Sequence, residues 1–472
     1  MTHPKQVCAP PKSELCTKTA TDLAGLIRNK DVSPVDVVRA SIERIDEVQP
    51  QLNCFCFTFP DEALGLAKQA EDAVMRGDDL APLHGVPIAI KDFTPTKGKT
   101  TTRGSVCFKD WVPDFDPVIV QRFQAAGAIM VGKTTTPEFA FSSFTRSPLW
   151  GHTLNPWDTT RTTGGSSGGS GAAVASNCVP LAEGTDMGGS VRIPAGLCGI
   201  VGHKPSLGRI PMDILSSVFD SISHFGPLAR TVEDAALFLR VAEGPDDADI
   251  QSQISPLPIT DPVERDVSGL SIALSPDLGI YHVQPDVLAN LHNVADALRA
   301  AGARVEEVDL GWTPEVVFQW DKLWEVLLAA SFADCLEEHR DGMDPAVVAI
   351  IERGLAQDAV SYKRIEDFRT WQWQKLAHQF QSFDALICPT MTMGAPSAHT
   401  SDGDFDTIND DGKLVGLDMT SPFNNVPQCP AMSVPSGFSN EGLPTAVQIV
   451  THRFDDPMAF RIGAAVEVIM NQ

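Results

Sequence analysis

The hydrophobic and polar positions along the chain change their period repeatedly, which indicates alternating helices and strands. Val38, Ile42 and Ile45 are spaced i, i+4 and i+7, so they line one face of a predicted helix. A short continuous apolar run at residues 86–90 predicts a buried strand. Further helices are predicted at 61–77, 116–126, 231–242 and 286–301, and further strands at 128–131, 270–274, 303–308 and 385–388. This alternation is typical of an α/β fold.

Three regions depart from this alternation. Residues 312–375 form a long helical pattern and hold five of the eight tryptophans. That pattern indicates either helices packed against the sheet or an aromatic wall for an apolar substrate. Residues 402–416 are rich in Gly and Asp and predict a mobile loop, and residues 1–16 are polar and predict an N-terminal arm.

The length and the charge of the chain exclude several classes of protein. Its 472 residues exceed the ~250–300 at which a single core usually stops growing, which predicts two domains or one domain with a wide sheet. The chain has 36 Lys and Arg against 61 Asp and Glu, a net charge of −25. We therefore expect no nucleic acid or anionic membrane as a partner, because both require clustered basic residues.

The ten cysteines indicate a reducing compartment. No two of them have CxxC spacing, and several lie in apolar or small-residue runs, as core thiols do. The first residues contain no apolar signal-peptide core, and no stretch approaches the ~20 apolar residues of a membrane span. We therefore expect a cytoplasmic protein.

Candidate chemistry is concentrated in two Gly/Ser-rich segments, residues 164–171 and 184–194. A single segment of this composition is often a flexible linker, but small and apolar residues follow the first one directly. The phosphate-loop, dinucleotide-binding, SxxK and HExxH patterns do not match. Residues 164–168 match the GxSxG elbow, which would make Ser166 a nucleophile, although no apolar strand precedes them.

A serine nucleophile with a lysine base is the remaining interpretation. A serine hydroxyl must lose its proton as it attacks, and a lysine accepts that proton only when it is neutral. Lys91, at the end of the predicted strand 86–90, is the lysine best placed for the burial that neutrality requires. An ordinary ion pair with Asp92 is the alternative for Lys91, and structural roles are expected for His84 and His203.

Taken in order, these segments resemble the amidase signature family, whose members hydrolyse amides through a Ser-Ser-Lys triad. The resemblance spans about residues 20–465, and the matching segments are residues 85–92, 164–170, 184–194, 199–205, 226–231 and 443–448. It implies a single α/β/α sandwich over residues 17–472 with a broad mixed, mostly parallel, twisted sheet. Core motifs would lie within 85–231, and a variable helical insert for the substrate pocket at about 312–380.

The resemblance also implies the roles of the triad residues. Ser190 would be the nucleophile, and Lys91 would be the base. Ser166 would bridge the two and would follow a cis peptide bond from Gly165.

Further residues around the nucleophile receive roles from the same resemblance. Backbone N–H groups would form the oxyanion hole at Met187, Gly188, Gly189 and Ser190, where glycines leave room for an oxyanion. Four other side chains are expected to support residues 187–191, the nucleophile loop that carries Ser190, namely Ser167, Thr185, Asp186 and Arg192.

The implied function is hydrolysis of small neutral amides through an acyl-enzyme, without a metal or cofactor. Carbamates and esters are related substrates, and among C–N hydrolases the linear amidases are the expected class. The Trp-rich region and residues 139–141 favour an apolar or aromatic substrate. The expected partner is a small-molecule amide or carbamate, and a homodimer is compatible with this function.

Two other functions remain as alternatives. The glutamine-hydrolysing subunit of a tRNA-dependent amidotransferase belongs to the same family. It usually carries Asn-Met-Asp-Glu-Phe after Gly-Lys-Thr, where this chain has Thr-Thr-Pro-Glu-Phe at 135–139. A non-catalytic scaffold would be expected to lack part of the triad, and all three residues are present. His203 stands where an apolar residue is commoner in the family, and the pattern does not explain it.

Overall fold

The computed structural model describes residues 8–405 and 407–470. Over these residues the chain forms fifteen strands: β1 (Phe55–Thr58), β2 (Pro87–Lys91), β3 (Ile129–Thr134), β4 (Arg146–Ser147), β5 (Gly151–His152), β6 (Leu181–Asp186), β7 (Val201–Lys204), β8 (His224–Ala229), β9 (Ser271–Leu274), β10 (Arg304–Glu307), β11 (Ala385–Pro389), β12 (Thr407–Ile408), β13 (Leu414–Val415), β14 (Ala431–Phe438) and β15 (Pro444–Thr451).

The same residues form thirteen α-helices: α1 (Ala20–Arg28), α2 (Pro34–Leu52), α3 (Pro60–Arg76), α4 (Val118–Ala125), α5 (Gly168–Ala175), α6 (Arg192–Cys198), α7 (Val232–Ala242), α8 (Pro285–Ala300), α9 (Glu315–Phe332), α10 (Cys335–His339), α11 (Pro345–Leu355), α12 (Ala359–Gln379) and α13 (Asp456–Met470). Helix α2 begins with Ser33 accepting a hydrogen bond from Val35 N and with Pro34 in the first turn.

Eleven of the described strands form one mixed sheet in the order β1-β3-β2-β6-β8-β7-β14-β15-β11-β9-β10. This sheet confirms the predicted fold class, but the mostly parallel pairing is corrected. Of its ten neighbouring pairs, four are parallel and six are antiparallel. One reason is that β14 and β15 follow each other without a helix between them, and a short turn joins only antiparallel neighbours.

Helices cover both faces of the sheet. In β2, the side chains of Ile88 and Ile90 join a core with α1, α4 and α7, whereas Ala89 points to a second core with α2, α3 and α5. The first of these cores extends from Ala20 to Val466. A wide sheet with helical layers on both faces therefore accommodates the length of the chain.

Most of the predicted elements are confirmed, and two regions differ from expectation. Residues 402–405 and 407–416 hold a 3-10 turn at Asp402–Asp404 and the antiparallel ribbon β12–β13, two elements that the sequence did not predict, and the mobility of this loop stays a prediction. Within the predicted arm, residues 1–7 lie outside the described residues, and Cys8 is buried.

The predicted helical region at 312–375 consists of α9 to α12. All ten cysteines are free thiols. Within residues 8–405 and 407–470, no helix has both the length and the apolar character that crossing a membrane would require.

Candidate active site

The first Gly/Ser-rich segment is a buried part of the fold. Residues 168–175 form α5 and are all buried, so the linker interpretation is wrong. Their small size is required by close packing: a Cβ on Gly169 would lie 2.4 Å from the backbone N of Thr135. Among the described residues, no strand leads directly into residues 164–166, as an α/β-hydrolase elbow would need.

Lys91 and Thr185 meet at one edge of the sheet because β2 and β6 are parallel neighbours whose carboxyl ends coincide. The Lys91 Nζ donates to Ser166 Oγ at 2.7 Å and to Thr185 Oγ1 at 2.8 Å. Ser166 follows a cis peptide bond from Gly165, and Lys91 and Ser166 are both fully buried. The structure therefore brings together the predicted base and the predicted bridging serine.

Several charged groups surround Lys91 in this buried site. The Glu183 carboxylate accepts hydrogen bonds from Lys91 N at 2.9 Å and from Thr94 Oγ1 at 3.0 Å. Burial lowers the pKa of Lys91 to about 7, although the carboxylates of Glu183 and Asp186 act to raise it. Burial raises the pKa of Glu183, against the opposing effect of Lys91. A lysine with a pKa near neutrality can act as a base.

Asp92 does not form the ion pair with Lys91 that was the alternative role predicted for this lysine. It lies 3.7 Å from Lys133 Nζ, on the neighbouring strand β3, and accepts hydrogen bonds from Thr102. Lys133 also donates to the Thr94 carbonyl at 2.8 Å. Lys133 thus provides the positive charge beside Asp92, and Lys91 is left to face the serines.

Ser190, the third candidate of the triad, borders open space. It is half-buried and lines a cavity of about 370 Å³, whereas Ser166 is fully buried. Ser167 connects the two segments: its N–H donates to the Ser190 carbonyl at 3.1 Å, and its hydroxyl accepts from Thr185 N at 3.3 Å. Of the three triad candidates, Ser190 is therefore the one that substrate can reach.

Asp186 and Arg192 form a buried ion pair beneath the nucleophile loop. Arg192 Nη2 lies 2.9 Å from Asp186 Oδ1, and Arg192 Nε donates to Oδ2 at 3.0 Å. Asn424 donates to Asp186 Oδ1 at 3.0 Å, and Gln448 accepts from Arg192 Nη1 at 3.1 Å. Burial opposes the charge of Asp186, but Arg192 and Asn424 outweigh it and hold the pKa of that carboxyl below its usual range.

The peptides of the predicted oxyanion hole are anchored through their carbonyl groups. The Met187 carbonyl accepts from Trp320 Nε1 at 2.9 Å, and the Gly188 carbonyl accepts from Thr420 Oγ1 at 2.6 Å. Gly189 has a φ of +135°, in the region that favours glycine, and a Cβ there would lie 1.8 Å from Thr420 Oγ1. Trp320 and Thr420 were not predicted from the sequence, and no local pattern marks either of them.

The cavity has an aromatic wall and several acidic side chains. The aromatic residues are Phe141, Tyr281, Phe318, Trp320, Trp324 and Phe405, and the acidic residues are Asp321, Glu325, Asp402 and Asp418. One guanidinium, that of Arg353, lines the cavity and is paired with Glu325. The lining therefore combines apolar surface with an excess of carboxylates.

Only part of the predicted aromatic surface lies at this cavity. Trp320 and Trp324 line it, stacked with ring centroids 6.0 Å apart, whereas Trp312 packs in a separate core with α12. Of residues 139–141, Phe139 is fully buried and stacks on Phe332 at 4.1 Å. The predicted helical region 312–375 therefore contains both kinds of aromatic residue: Trp312 packs in a core, and Trp320 and Trp324 line the cavity.

The histidines near the motifs have structural environments. His203 is fully buried, with Nε2 3.1 Å from Asp456 Oδ1 at the start of α13 and its ring against Phe460. The His84 Nε2 lies 3.0 Å from the Ala70 carbonyl. His203 therefore connects β7 to α13, which explains a polar residue at this position.

Comparison with known proteins gives matches along nearly the whole chain. The amidase family profile matches residues 36–460. An acylamidase from Rhodococcus erythropolis is 34% identical over 455 residues, covering 96% of this chain and 95% of that protein. One subunit of the glutamyl-tRNA(Gln) amidotransferase from Acidothermus cellulolyticus is 35% identical over 489 residues, with coverage of 96% and 95%.

Solved structures give a similar result. A bacterial aryl acylamidase of the amidase signature family matches with a TM-score of 0.91 at 29% identity, covering 97% of both chains. A 6-aminohexanoate cyclic dimer hydrolase in complex with its substrate matches with a TM-score of 0.85 at 28% identity, covering 98% of both chains. The similar proteins thus include both simple amide hydrolases and a component of the tRNA-dependent amidotransferase.

Proposed function

The chain belongs to the amidase signature family, and from this membership and the geometry of the site we propose that it is a serine amidase. It hydrolyses C–N bonds of small neutral amides, with carbamates and esters as related substrates. The observation that carries this proposal is the contact of 2.7 Å between the buried Lys91 Nζ and Ser166 Oγ, together with a cavity that Ser190 lines. We further propose a cytoplasmic location, which the free thiols support.

The proposed reaction is acyl transfer in two halves. Ser190 Oγ attacks the substrate carbonyl and passes its proton to Ser166 Oγ, while Ser166 passes its own proton to neutral Lys91. The relay then returns a proton to the leaving amine as the C–N bond breaks. Water attacks the acyl-enzyme by the same route, releases the acid and restores the Ser190 hydroxyl.

Stabilisation of the tetrahedral oxyanion is assigned to the backbone N–H groups of residues 187–190. One such donor contributes about 3–4 kcal/mol to lowering the barrier. The buried Asp186–Arg192 pair holds the loop that carries these groups. It acts through the loop and does not touch the reacting atoms.

The lining of the cavity supports a neutral substrate over an anionic one. We expect butyryl p-nitroanilide to be hydrolysed with kcat/KM at least about tenfold higher than that of succinyl p-nitroanilide, which has nearly the same length but carries a carboxylate. The reason is repulsion by acidic side chains such as Asp402 and Asp418, and a tenfold effect corresponds to about 1.4 kcal/mol. Release of p-nitroaniline measures both rates.

Salt dependence provides the control for this prediction. Added NaCl is expected to raise the rate for the succinyl substrate more than that for the butyryl substrate, since salt screens like-charge repulsion. Equal or faster hydrolysis of the succinyl substrate would contradict the proposed substrate class. No hydrolysis of either anilide, of a matched carbamate or of a matched ester would contradict the amidase proposal itself.

A second candidate function is glutamine hydrolysis within a tRNA-dependent amidotransferase. The observation that favours it is the 35% identity to the amidotransferase protein from Acidothermus cellulolyticus. Glutaminase activity that appears only when the other amidotransferase subunits are added would support this function. Hydrolysis of neutral anilides by the isolated chain without detectable glutaminase activity would support the amidase.

The proposed base predicts a pH profile whose acid side reports Lys91. Because protonated lysine cannot accept a proton, kcat/KM should rise with pH through the pKa of Lys91, about 7. Glu183 raises the pKa of Lys91, so Glu183→Gln should move this acid limb to lower pH. Initial rates between pH 5 and 9 measure the shift.

Glu467→Gln is the matched control for Glu183→Gln. Glu467 lies on α13 and, like Glu183, carries a largely buried carboxyl group that accepts a backbone hydrogen bond, here from Val232 N at 2.9 Å. Burial raises the pKa of Glu467 to about 7. Its replacement should leave the acid limb in place. An unmoved limb in Glu183→Gln, or the same shift in both variants, would refute Lys91 as the titrating base.

A further inference from the structure

Trp320 contacts the nucleophile loop in two ways, although it lies 133 residues further along the chain than Met187. Its indole N–H donates to the Met187 carbonyl at 2.9 Å. Its ring lies against the next residue, because a Cβ on Gly188 would be only 2.1 Å from Trp320 Cζ2. The side chain from α9 therefore holds the Met187–Gly188 peptide by a hydrogen bond and by direct packing.

The geometry of the peptide bond gives this contact a consequence for the oxyanion hole. A carbonyl and the N–H of the following residue share one rigid plane and point in opposite directions. Holding the Met187 carbonyl therefore sets the direction of the Gly188 N–H. In the same way, Thr420 Oγ1 lies 2.6 Å from the Gly188 carbonyl and 2.5 Å from Asp418 Oδ1, and its contact with the carbonyl restrains the direction of the Gly189 N–H.

The third peptide of the loop is held differently. The Gly189 carbonyl accepts from Ile193 N at 2.7 Å, within the first turn of α6. The Ser190 N–H is thus directed by the backbone next to it in sequence. The Gly188 and Gly189 N–H groups depend on side chains from distant parts of the chain, Trp320 in α9 and Thr420.

We propose that Trp320 and Thr420 are positioning residues that aim the oxyanion-hole N–H groups, so that α9 serves the chemical step as well as the substrate pocket. This inference rests on the proposed amidase function. Neither residue reacts; each acts through a peptide of the nucleophile loop. Misdirected donors weaken transition-state stabilisation more than ground-state binding, so their loss lowers kcat more than it changes KM.

The test compares Trp320→Phe with Trp324→Phe, using a neutral p-nitroanilide. Trp320→Phe keeps an aromatic ring but removes the N–H donor, and should lower kcat about 10- to 100-fold while KM changes less than about threefold. Trp324 is the matched control, since it lines the same cavity one turn further along α9 and stacks on Trp320. Trp324→Phe should change KM but keep kcat within about threefold.

The contrary outcomes are separable. A change in KM alone for Trp320→Phe, or equal losses of kcat in both variants, would overturn the positioning role. Thr420→Val, which keeps the side-chain volume but removes the second donor, should show the same selective loss of kcat and provides the test if Trp320→Phe does not fold. If the wild-type protein hydrolyses no amide and its Ser190 does not react with a fluorophosphonate, the proposed function fails and this inference fails with it.

Discussion

Ser190→Ala is expected to lower kcat for a neutral p-nitroanilide by about 10⁴- to 10⁶-fold, the range seen when a serine nucleophile is removed. The change removes one oxygen atom at a half-buried position that borders the cavity. The peptides of the proposed oxyanion hole remain anchored by Trp320 and Thr420, so the fold and substrate binding should persist. Release of p-nitroaniline by purified protein measures kcat, and a thermal melt checks that the variant is folded.

Covalent labelling distinguishes this assignment from the GxSxG alternative. A fluorophosphonate should modify Ser190 in the wild-type protein and should leave Ser190→Ala unmodified, as mass spectrometry of the digested protein would show. Ser166 is fully buried and hydrogen-bonded to Lys91, which suits a relay and not a nucleophile. A label on Ser166, together with an active Ser190→Ala variant, would make Ser166 the nucleophile and would reject the proposed mechanism.

The sequence was most informative where function depends on a short run of residues. The role proposed for the glycines at 188 and 189 came from a short motif that resembles the family, because the proposed oxyanion hole consists of consecutive peptides. The burial of Lys91 could also be expected, since it ends an apolar run that becomes the interior strand β2. In each case, the physical requirement acts on neighbours in the chain.

Contacts between distant residues could not be predicted in this way. Trp320 was one of five tryptophans in a helical region, and nothing in its local pattern separates it from Trp312, which packs in a different core. Glu183 lies in the buried strand β6 and meets Lys91 only because β2 and β6 are parallel neighbours. The antiparallel pairing of β8 between β6 and β7 likewise depends on the path of the chain between the strands.

Substitutions of two buried lysines, Lys91 and Lys204, distinguish a catalytic role of a lysine from a structural one. Lys91→Met is expected to lower kcat about 10³- to 10⁵-fold, because methionine fills a similar volume but cannot accept the proton from Ser166. The variant should stay folded, since it also removes an amine from a fully buried site. Rates between pH 5 and 9 should no longer rise through the acid limb near pH 7 that is expected if Lys91 is the base.

Lys204→Met is the matched control. Lys204 is equally buried, and burial likewise lowers its pKa to about 7, but its Nζ donates to the Cys429 carbonyl at 2.8 Å, just before the neighbouring strand β14. Its replacement leaves that carbonyl without its partner, so it should lower the melting temperature while keeping kcat per folded molecule within about tenfold. An equal loss of kcat in both variants would mean that any buried lysine of this sheet is needed for folding of the site. Lys204 shares the low pKa of Lys91 but donates to backbone carbonyls, whereas Lys91 contacts Ser166. Retention of more than about a tenth of wild-type kcat by Lys91→Met would exclude Lys91 as the base.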